Sequence, residues 1–414
     1  MSLIRGRSAR AILRTAATIL VQAPRFVAGY LYRRDRRMWV FGNVHGFRDS
    51  PRYLAEYVAA SQPDVTAVWI AHDPAAADAA RAAGLEVAMA NDASARKLQR
   101  RAGVAFFTHG FRDLDLPLVS GAYLVYLWHG TPLKRVGLDV SAVQSRRRPM
   151  AVRAAAGVIR WFHYRAYRLV DLFVAAGGLD RDRFMTAFKA PADRVQALGS
   201  PRFDVIRGGE AYERVVSGDL RAQLGYTSEH RLIVWLPTHR REYGDATWLP
   251  SLTSDQLDEA LGADTDVRLL VKTHPNAEWD VYQDRLPGDP RIRLLRETHV
   301  DVNALLSIAD GLISDYSSAF FDYSVTGRPI WFLAPDVDRY DADRGLYDPY
   351  DVVTGGRYHT EWPSLLRALR DFGQPDRDDE GKANAARVAE YTRNNIEPDS
   401  CRRIVGAILK ATSG

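Results

Sequence analysis

The sequence predicts an α/β protein of two domains, each built on a doubly wound parallel sheet. Short apolar runs rich in β-branched and aromatic residues recur along the chain, as expected of strands buried on both faces. Alanine-rich helical stretches such as residues 74–83 lie between several of these runs, and strands that alternate with helices form parallel sheets. Two domains are expected because 414 residues exceed what one hydrophobic core usually supports.

The predicted strands fall into two groups, which a polar stretch at residues 206–228 separates. We therefore expect an N-terminal domain over residues 37–210 and a C-terminal domain over 211–375. A basic segment, 1–36, precedes them and a helical segment, 376–414, follows. The predicted strands are residues 37–42, 65–71, 85–88, 104–108, 123–128, 172–175 and 195–198, then 232–236, 267–271, 292–295, 311–313 and 329–333.

The overall composition is ordinary for a globular protein, with 46% hydrophobic and 26% charged residues. Cys401 is the single cysteine, which excludes an intrachain disulfide and fits a reducing compartment. No apolar run approaches the roughly 20 residues that a membrane-spanning helix needs. The composition therefore argues against a disulfide-stabilised secreted domain and against an integral membrane protein.

Positive charge is concentrated in two segments. Residues 1–40 contain nine arginines and one acidic residue, Asp35, and residues 146–168 contain seven arginines and no acidic residue. Because the whole chain carries a net charge of only +5, the remainder is acidic. Two local basic patches on an acidic body indicate a localised anionic partner.

Both basic segments favour a membrane surface as that partner. Residues 3–32 alternate apolar stretches with arginines, the pattern of a helix lying in a membrane interface. A signal peptide fits less well because Arg14 interrupts the apolar region, and a solvated basic tail stays open. The second segment interleaves Trp161 and other aromatics with arginine, which suits lipid phosphates or nucleic acid, and a solvated arginine-rich helix stays open. No nucleic-acid-binding signature accompanies it, so we expect no nucleic-acid partner.

One turn of the first domain carries the strongest catalytic signal. The run 123–128 ends at His129, and Gly130, Thr131 and Pro132 then force a turn. Parallel α/β sheets place their ligands at the carboxyl ends of strands, where this imidazole is expected. A core histidine is the alternative, but Lys134 and the turn residues crowd the same place and favour chemistry.

Polar groups follow three strands of the second half and suit a diphosphate ligand. Arg240 offers a fork of donors, and Lys272 and His274 point to one side of an extended chain. Ser317 and Ser318 stand where a strand gives way to a helix, a junction that binds anions. We therefore expect a phosphate-binding set at this edge.

Other site chemistries fit the sequence less well. His129, His239 and His274 lack the local pairing of usual zinc ligands, and no cysteine supports them, so we assign no metal site. A serine nucleophile is unsupported because Gly-x-Ser-x-Gly is absent around Ser317.

A set of short motifs recurs in a fixed order along the chain. They are His129-Gly-Thr-Pro-Leu-Lys134, Gly199-Ser-Pro-Arg-Phe-Asp204, Pro237-Thr-His-Arg240, Lys272-Thr-His-Pro275, Asp301-Val-Asn-x-Leu-Leu-x-x-Ala-Asp310, Ser314-Asp-Tyr-Ser-Ser-x-x-Phe-Asp322 and Arg328-Pro-Ile. Taken together, these motifs resemble those of one known family, the CDP-glycerol glycerophosphotransferases of wall teichoic acid synthesis. The resemblance covers residues 37–350 in pattern.

The resemblance implies a GT-B-like fold, with two Rossmann-like domains facing a cleft, and a transferase activity. The implied enzyme moves glycerol phosphate from CDP-glycerol to a hydroxyl of a polyprenyl-diphosphate-linked saccharide or growing polymer and releases CMP. No tightly bound cofactor is implied, and a divalent metal requirement stays open. The implied location is peripheral, on the cytoplasmic face of the cell membrane.

The resemblance also implies roles for individual residues. His129 would be the general base and His274 would stabilise the donor phosphates. An imidazole, with an ordinary pKa near ~6.5, can accept a hydroxyl proton at neutral pH. The residues implied to bind CDP-glycerol are Gly130, Thr131, Pro132, Leu133, Arg202, Pro237, Thr238, Arg240, Lys272, Thr273, Ser317, Ser318 and Asp322.

Some positions depart from the family pattern. His239 stands where the family more often has Trp, and Thr273 replaces an apolar residue. The chain lacks the additional N-terminal region of larger members and resembles the shorter, primase-like ones. Two alternatives therefore stay open: a GT-B transferase that uses CDP-ribitol or a nucleotide sugar, and a non-catalytic protein that binds lipid or polyanions.

Overall fold

The structure is a computed structural model that describes residues 9–140, 150–238, 240, 248–263, 265–273, 279–295, 300–370, 372, 380–394 and 397–413. The chain divides into two compact units. Unit 1 comprises Met1–Asp204 and Asn395–Gly414, and unit 2 comprises Val205–Asn394.

Unit 1 is built on a seven-stranded parallel sheet. Its strands are β1 (Asp35–Gly42), β2 (Thr66–Ala71), β3 (Glu86–Met89), β4 (Ala102–Phe107), β5 (Tyr123–Tyr126), β6 (Leu172–Ala175) and β7 (Val195–Ala197). They are ordered β3-β2-β1-β4-β5-β6-β7. The direction of winding reverses between β1 and β4, and open α/β sheets bind their ligands beside such a reversal.

The helices of unit 1 connect these strands. In α3, Pro74 occupies the first turn and the Asp73 carboxylate accepts a hydrogen bond from the backbone N–H of Ala76 at 2.8 Å. The helices are α1 (Ala9–Ala28), α2 (Asp49–Ser61), α3 (Pro74–Ala82), α4 (Ala93–Arg101), α5 (Leu116–Val119), α6 (Met150–Tyr167), α7 (Gly178–Ala187) and α8 (Pro201–Ile206).

Both faces of the first sheet are buried. Along β1, Trp39 and Phe41 belong to one hydrophobic cluster and Val40 belongs to the other, and all three side chains are inaccessible to solvent. Successive side chains of a strand point to opposite faces, so burial of both faces produces a continuous apolar run. This explains why the strands of unit 1 were visible in the sequence.

The chain returns to unit 1 at its carboxyl end. Helix α19 (Ser400–Thr412) packs Cys401, Ile404 and Val405 into the cluster that contains Trp39. The Asp204 carboxylate accepts hydrogen bonds at 2.8 Å from the backbone N–H groups of the first two residues of this helix. A carboxylate satisfies helix N-terminal donors and complements the helix dipole, so Asp204 fixes the start of α19.

Unit 2 is built on a five-stranded parallel sheet. Its strands are β8 (Arg231–Leu236), β9 (Val267–Lys272), β10 (Ile292–Leu295), β11 (Gly311–Ser314) and β12 (Ile330–Phe332). They are ordered β10-β9-β8-β11-β12. The helices are α9 (Glu210–Val215), α10 (Leu220–Gln223), α11 (Ser254–Leu261), α12 (Trp279–Arg285), α13 (Val302–Ile308), α14 (Ala319–Tyr323), α15 (Val337–Arg344), α16 (Tyr350–Thr354), α17 (Trp362–Leu369) and α18 (Glu380–Thr392).

The predicted doubly wound α/β architecture is confirmed, and each predicted strand is found with its ends shifted by at most about two residues. The division between units falls after Asp204, earlier than the predicted boundary at 210. The predicted helical segment 376–414 is divided between the two units. Helix α18 (Glu380–Thr392) belongs to unit 2, and α19 (Ser400–Thr412) belongs to unit 1. Helix α1, which lies in the predicted basic segment 1–36, belongs to unit 1.

Candidate functional site

His129 lies just beyond β5 at the carboxyl edge of the first sheet. Strand β5 ends at Tyr126, two residues before the predicted end, because Trp128 adopts a left-handed backbone conformation with φ 58°. Gly130 follows with φ 134°. Glycine tolerates this conformation, whereas a tryptophan in it is strained by about 1–3 kcal/mol and must be held by its surroundings.

Thr108, at the end of β4, holds this turn. Its hydroxyl donates a hydrogen bond to the carbonyl oxygen of Trp128, and its own carbonyl oxygen lies 3.0 Å from Nδ1 of His129. A carbonyl oxygen can only accept, so we assign the imidazole proton to Nδ1. Nε2 of His129 then carries the lone pair, as a general base requires.

Asp113 fixes the loops that follow β1 and β4. Its fully buried carboxylate accepts hydrogen bonds from the backbone N–H groups of Thr108 and His109, both at 2.7 Å, and from that of Val44 at 3.1 Å. Three donors compensate for the desolvation of the carboxylate. Asp113 therefore holds the backbone of Val44, Thr108 and His109 in place at the carboxyl edge of the unit 1 sheet.

Four histidines follow four neighbouring strands of this sheet. They are His72 after β2, His45 after β1, His109 after β4 and His129 after β5. The rings of His109 and His129 stack with centroids 4.6 Å apart and planes 12° from parallel, and His45 meets His109 edge-on at 4.6 Å. Sequence reasoning missed the other three, although a histidine beyond each of four predicted strands was a visible signal.

Desolvation keeps the stacked pair neutral. It lowers the pKa of His129 to about 4, while the Thr108 carbonyl opposes the change. Desolvation also lowers the pKa of His109 to about 4, and the nearby His129 contributes. Residue 129 is also exposed to solvent, so a substrate can reach it. A histidine whose pKa lies below its ordinary 6.5 is neutral at pH 7.

Arg202 and Asp49 supply charge beside the pair. The Arg202 guanidinium, almost fully buried, donates to the Ser50 hydroxyl at 2.9 Å and lies 3.4 Å from the Asp49 carboxylate. Burial raises the pKa of Asp49, but Arg202 and His109 outweigh it and the net pKa is lowered. An ionised carboxylate therefore lies near both imidazoles. The predicted residue Arg202 thus belongs to the His129 edge of unit 1.

The predicted substrate loop Gly130–Leu133 directly follows His129 and is buried. Thr131 and Leu133 are buried, and the Pro132 carbonyl accepts a hydrogen bond at 2.6 Å from Arg183 of α7. The Thr131 hydroxyl oxygen is buried with no hydrogen-bond partner among the described residues. This loop therefore packs against unit 1 and keeps the His129 turn in shape.

Three adjacent strands of unit 2 bring most of the predicted phosphate-binding residues to one edge. Strands β9, β8 and β11 are neighbours and parallel. Lys272, the last residue of β9, therefore lies at the same edge of the sheet as Thr238 and Ser317, which follow β8 and β11. The hydroxyl and the backbone N–H of Thr238 both donate to the Asp315 carboxylate, at 2.6 and 3.0 Å. The predicted convergence of the β8 and β11 ends is therefore present.

Arg240 has a different environment from the one predicted. Its guanidinium pairs with the carboxylates of Asp315 at 2.5 Å and Asp336 at 2.9 Å, and it also donates to the Thr238 carbonyl. The side chain is only 1% exposed. Because two carboxylates use the donors, the expectation that Arg240 contacts a phosphate is not supported, and we assign it to holding the edge together.

An aromatic enclosure surrounds the Arg240 guanidinium. Its central carbon lies 4.0 Å from the ring centroid of Trp248, 4.9 Å from that of Tyr316 and 5.5 Å from that of Tyr340. Aromatic faces attract a guanidinium, which adds to the carboxylate pairing. Asp315, Asp336 and these rings were not identified from the sequence, because they come from loops whose meeting no local pattern reveals.

The remaining predicted residues of unit 2 are placed less completely. The Ser317 hydroxyl accepts a hydrogen bond from the backbone N–H of Ala319 at 3.3 Å, and Ser318 precedes α14. Asp322 is buried within that helix. Pro237 directly follows β8, and Thr273 follows β9. His239 and His274 lie outside the described residues.

The two predicted basic segments meet in unit 1. Helices α1 and α6 pack through Ile12, Val152, Ala155, Ala156 and Ile159. Arginines from both helices are exposed, and so are large apolar side chains on or next to them. The exposed residues are Arg10, Arg14, Arg25, Arg153, Arg160 and Arg165, with Leu13, Val27, Tyr30, Leu31, Met150 and Trp161.

Two absences concern only the residues that the structure describes. Among them, no helix is long and apolar enough to cross a membrane. No group of three or more His, Cys, Asp or Glu side chains in the same part of the chain is arranged to hold a metal ion.

Comparison with known proteins places this geometry in a family context. The family model described as CDP-glycerol:poly(glycerophosphate) glycerophosphotransferase matches residues 28–410. The teichoic acid poly(glycerol phosphate) polymerase of Staphylococcus epidermidis is 26% identical over 353 residues, which cover 82% of this chain and 46% of that protein. The chain therefore spans about half the length of this relative.

Two further comparisons concern a relative that is named for ribitol phosphate and a solved structure with a similar fold. The teichoic acid ribitol-phosphate primase of Bacillus spizizenii is 27% identical over 299 residues, covering 64% of this chain and 75% of the primase. The solved structure of the wall teichoic acid polymerase TagF has a TM-score of 0.70 and 22% identity, covering 98% of this chain and 97% of that one. At this identity, the structural likeness supports the fold alone.

Proposed function

Because the chain belongs to the CDP-glycerol:poly(glycerophosphate) glycerophosphotransferase family, we propose that it transfers glycerol phosphate from CDP-glycerol to a hydroxyl group and releases CMP. The proposed acceptor is a teichoic-acid-type polymer or a saccharide carried on a polyprenyl diphosphate. The observation that carries this proposal is the His129–Thr108 hydrogen bond, which leaves Nε2 of His129 as a proton acceptor at the ligand-binding edge of a parallel sheet.

The proposed reaction is a single displacement at phosphorus. Nε2 of His129 takes the proton of the acceptor hydroxyl as its oxygen bonds to the phosphorus that carries glycerol. The bond from this phosphorus to the bridging oxygen breaks, and the electron pair leaves with CMP. The imidazolium later gives its proton to solvent, so each turnover releases one proton. The neighbouring Asp49 carboxylate favours the transient imidazolium.

The donor is assigned to the carboxyl edge of the unit 2 sheet. Cationic and hydroxyl donors lower the barrier by stabilising charge on the departing phosphate. We keep His274 as the second catalytic residue and Arg240 as the residue that orders the edge. Residues proposed to bind CDP-glycerol are Gly130, Thr131, Pro132, Leu133, Arg202, Pro237, Thr238, Lys272, Thr273, Ser317, Ser318 and Asp322.

A peripheral membrane location is part of the proposal, at the cytoplasmic face. The helix pair α1–α6 and the turn after α1 carry exposed arginines and exposed apolar side chains, including Leu31 at 85% in that turn and Trp161 at 61% on α6. Arginines attract anionic lipid headgroups, while apolar side chains enter the interface. A lipid-anchored acceptor would then be held at the surface where the enzyme works.

The test is a donor and acceptor screen with the full chain. CDP-glycerol or CDP-ribitol is incubated with lipid-linked saccharides and with glycerol phosphate oligomers, and CMP release and product mass are measured. We expect CMP release and a product heavier by one glycerol phosphate unit. Ribitol phosphate transfer alone would assign the alternative polyol, and no CMP release from either donor would overturn the proposed activity.

A further inference from the structure

We propose that His109 is a second substrate-contacting imidazole, which donates a hydrogen bond to a hydroxyl adjacent to the one that His129 deprotonates. The acceptor would then be recognised as a 1,2-diol, such as a terminal polyol unit. This inference rests on the proposed function, because it takes His129 as the base.

The first step is the placement of the two rings. His109 and His129 follow the adjacent strands β4 and β5, and their rings stack face to face at 4.6 Å. The backbone N–H of His109 is held by Asp113 at 2.7 Å, and Nδ1 of His129 is held by the Thr108 carbonyl. The His129 ring is therefore held by a hydrogen bond, and the His109 ring, whose backbone is held, contacts the rings of His129 and His45 at the edge where ligands bind.

The second step is the tautomer of His109. Its Nδ1 atom is buried and has no hydrogen-bond partner among the described residues. Either tautomer leaves Nδ1 unpaired, as a donor or as an acceptor, but a buried N–H group without a partner is rarer than a buried acceptor without one. We therefore assign the proton to Nε2. Nε2 itself is not among the buried unpaired atoms and has no hydrogen bond within the described part of the chain. It is therefore an accessible N–H donor.

The third step is that the Nε2 atoms of the two rings have opposite hydrogen-bonding roles. Nε2 of His129 can accept a proton, whereas Nε2 of His109 can only donate in the neutral state. The charged and titratable groups that act on His109 are His129 and His45, which disfavour a second proton, and Asp49 and Asp113, which favour it. Desolvation is the largest influence and keeps the ring neutral at pH 7.

A 1,2-diol matches this pair. One hydroxyl gives its proton to His129 while the other accepts from His109. With hydrogen bonds of about 2.8 Å on each side, two neighbouring oxygens can be reached from rings 4.6 Å apart. The proton and electron balance of the displacement is unchanged, because His109 keeps its proton throughout.

The experiment compares two soluble acceptors with the full chain and CDP-glycerol. One is a glycerol phosphate oligomer with an intact terminal diol, and the other lacks the hydroxyl next to the reacting one. The His109→Phe variant keeps a flat ring but removes both nitrogens, and His109→Gln restores a donor at the reach of Nε2. His230→Ala, which removes an imidazole in unit 2, is the control.

We expect His109→Phe to lower kcat/KM tenfold to hundredfold with the diol and less than threefold with the deoxy acceptor. His109→Gln should stay within about fivefold of wild type with the diol. An equal loss with both acceptors, or none with either, would overturn the inference. Wild-type inactivity with CDP-glycerol, or full activity of His129→Asn, would instead reject the proposed function on which it rests.

Discussion

The Nδ1 atom of His129 lies 3.0 Å from the carbonyl oxygen of Thr108, so the end of one strand selects the tautomer of the histidine that follows the next. The same threonine bonds through its hydroxyl to the carbonyl of Trp128, whose backbone is left-handed. The chemistry proposed for His129 therefore depends on a neighbour that need not touch the substrate.

Replacing Thr108 by valine should disturb this turn. The variant keeps the carbonyl but removes the hydroxyl, so the buried Trp128 carbonyl loses a donor and stability falls by about 1–3 kcal/mol. We expect a lower midpoint of thermal unfolding and a reduced kcat. Thr108→Ser keeps the hydroxyl and is the control. If both variants unfold and react like wild type, the hydroxyl does not hold the turn.

The rate of transfer should fall with decreasing pH only in the acidic range, where His129 becomes protonated. His129 works as a base only when neutral, and desolvation lowers its pKa from 6.5 to about 4. The kcat/KM for transfer should therefore fall to half at a pH below 6.5, as measured with buffers of constant ionic strength. A midpoint at or above pH 6.5 that is assigned to His129 would contradict the lowered pKa.

Arg240→Met should destabilise unit 2. The change leaves the Asp315 and Asp336 carboxylates without their cation, and breaking a buried pair in this way costs about 3–5 kcal/mol. Arg367→Met, at an exposed position of α17, should shift the unfolding midpoint little. Unchanged stability together with weaker CDP-glycerol binding would instead give Arg240 the phosphate contact that its pairing argues against.

Charge reversal on the helix pair should weaken membrane binding. Arg153→Glu combined with Arg160→Glu replaces two exposed cations of α6 by anions, which anionic headgroups repel. We expect co-sedimentation with phosphatidylglycerol vesicles to fall at least tenfold. Deletion of residues 1–32 should act in the same direction. Arg285→Glu with Arg367→Glu makes the same charge change in unit 2, and an equal loss there would reject α6 as the docking surface.

The strands could be predicted because both faces of each sheet are buried. Trp39, Val40 and Phe41 must all be apolar when helices cover both sides, so the run is visible without any partner. The end of β5 was predicted too late because Trp128 is apolar but leaves the strand through its left-handed backbone. An apolar residue in the sequence indicates that the position is buried, but it does not indicate which backbone conformation the residue adopts.

Long-range contacts limited the remaining predictions. Asp204, after which the chain passes into unit 2, caps the start of α19 almost two hundred residues away, and no local pattern indicates this contact. The pairing of Arg240 with Asp336 likewise joins separate loops, so a residue that fits a phosphate by type proved to be used by carboxylates. His109 became a candidate only when its ring was seen stacked on His129.

The most direct test of the account is CMP release from CDP-glycerol by His129→Asn in the presence of acceptor. Removal of a general base should lower kcat by about 10²–10⁴-fold. The KM for CDP-glycerol and binding to vesicles should stay within about threefold, because His129 is proposed to act on the acceptor hydroxyl and the substitution leaves the proposed donor-binding side chains and the exposed arginines unchanged. Turnover at the wild-type rate in a folded His129→Asn protein would contradict the claim that this imidazole takes the acceptor proton.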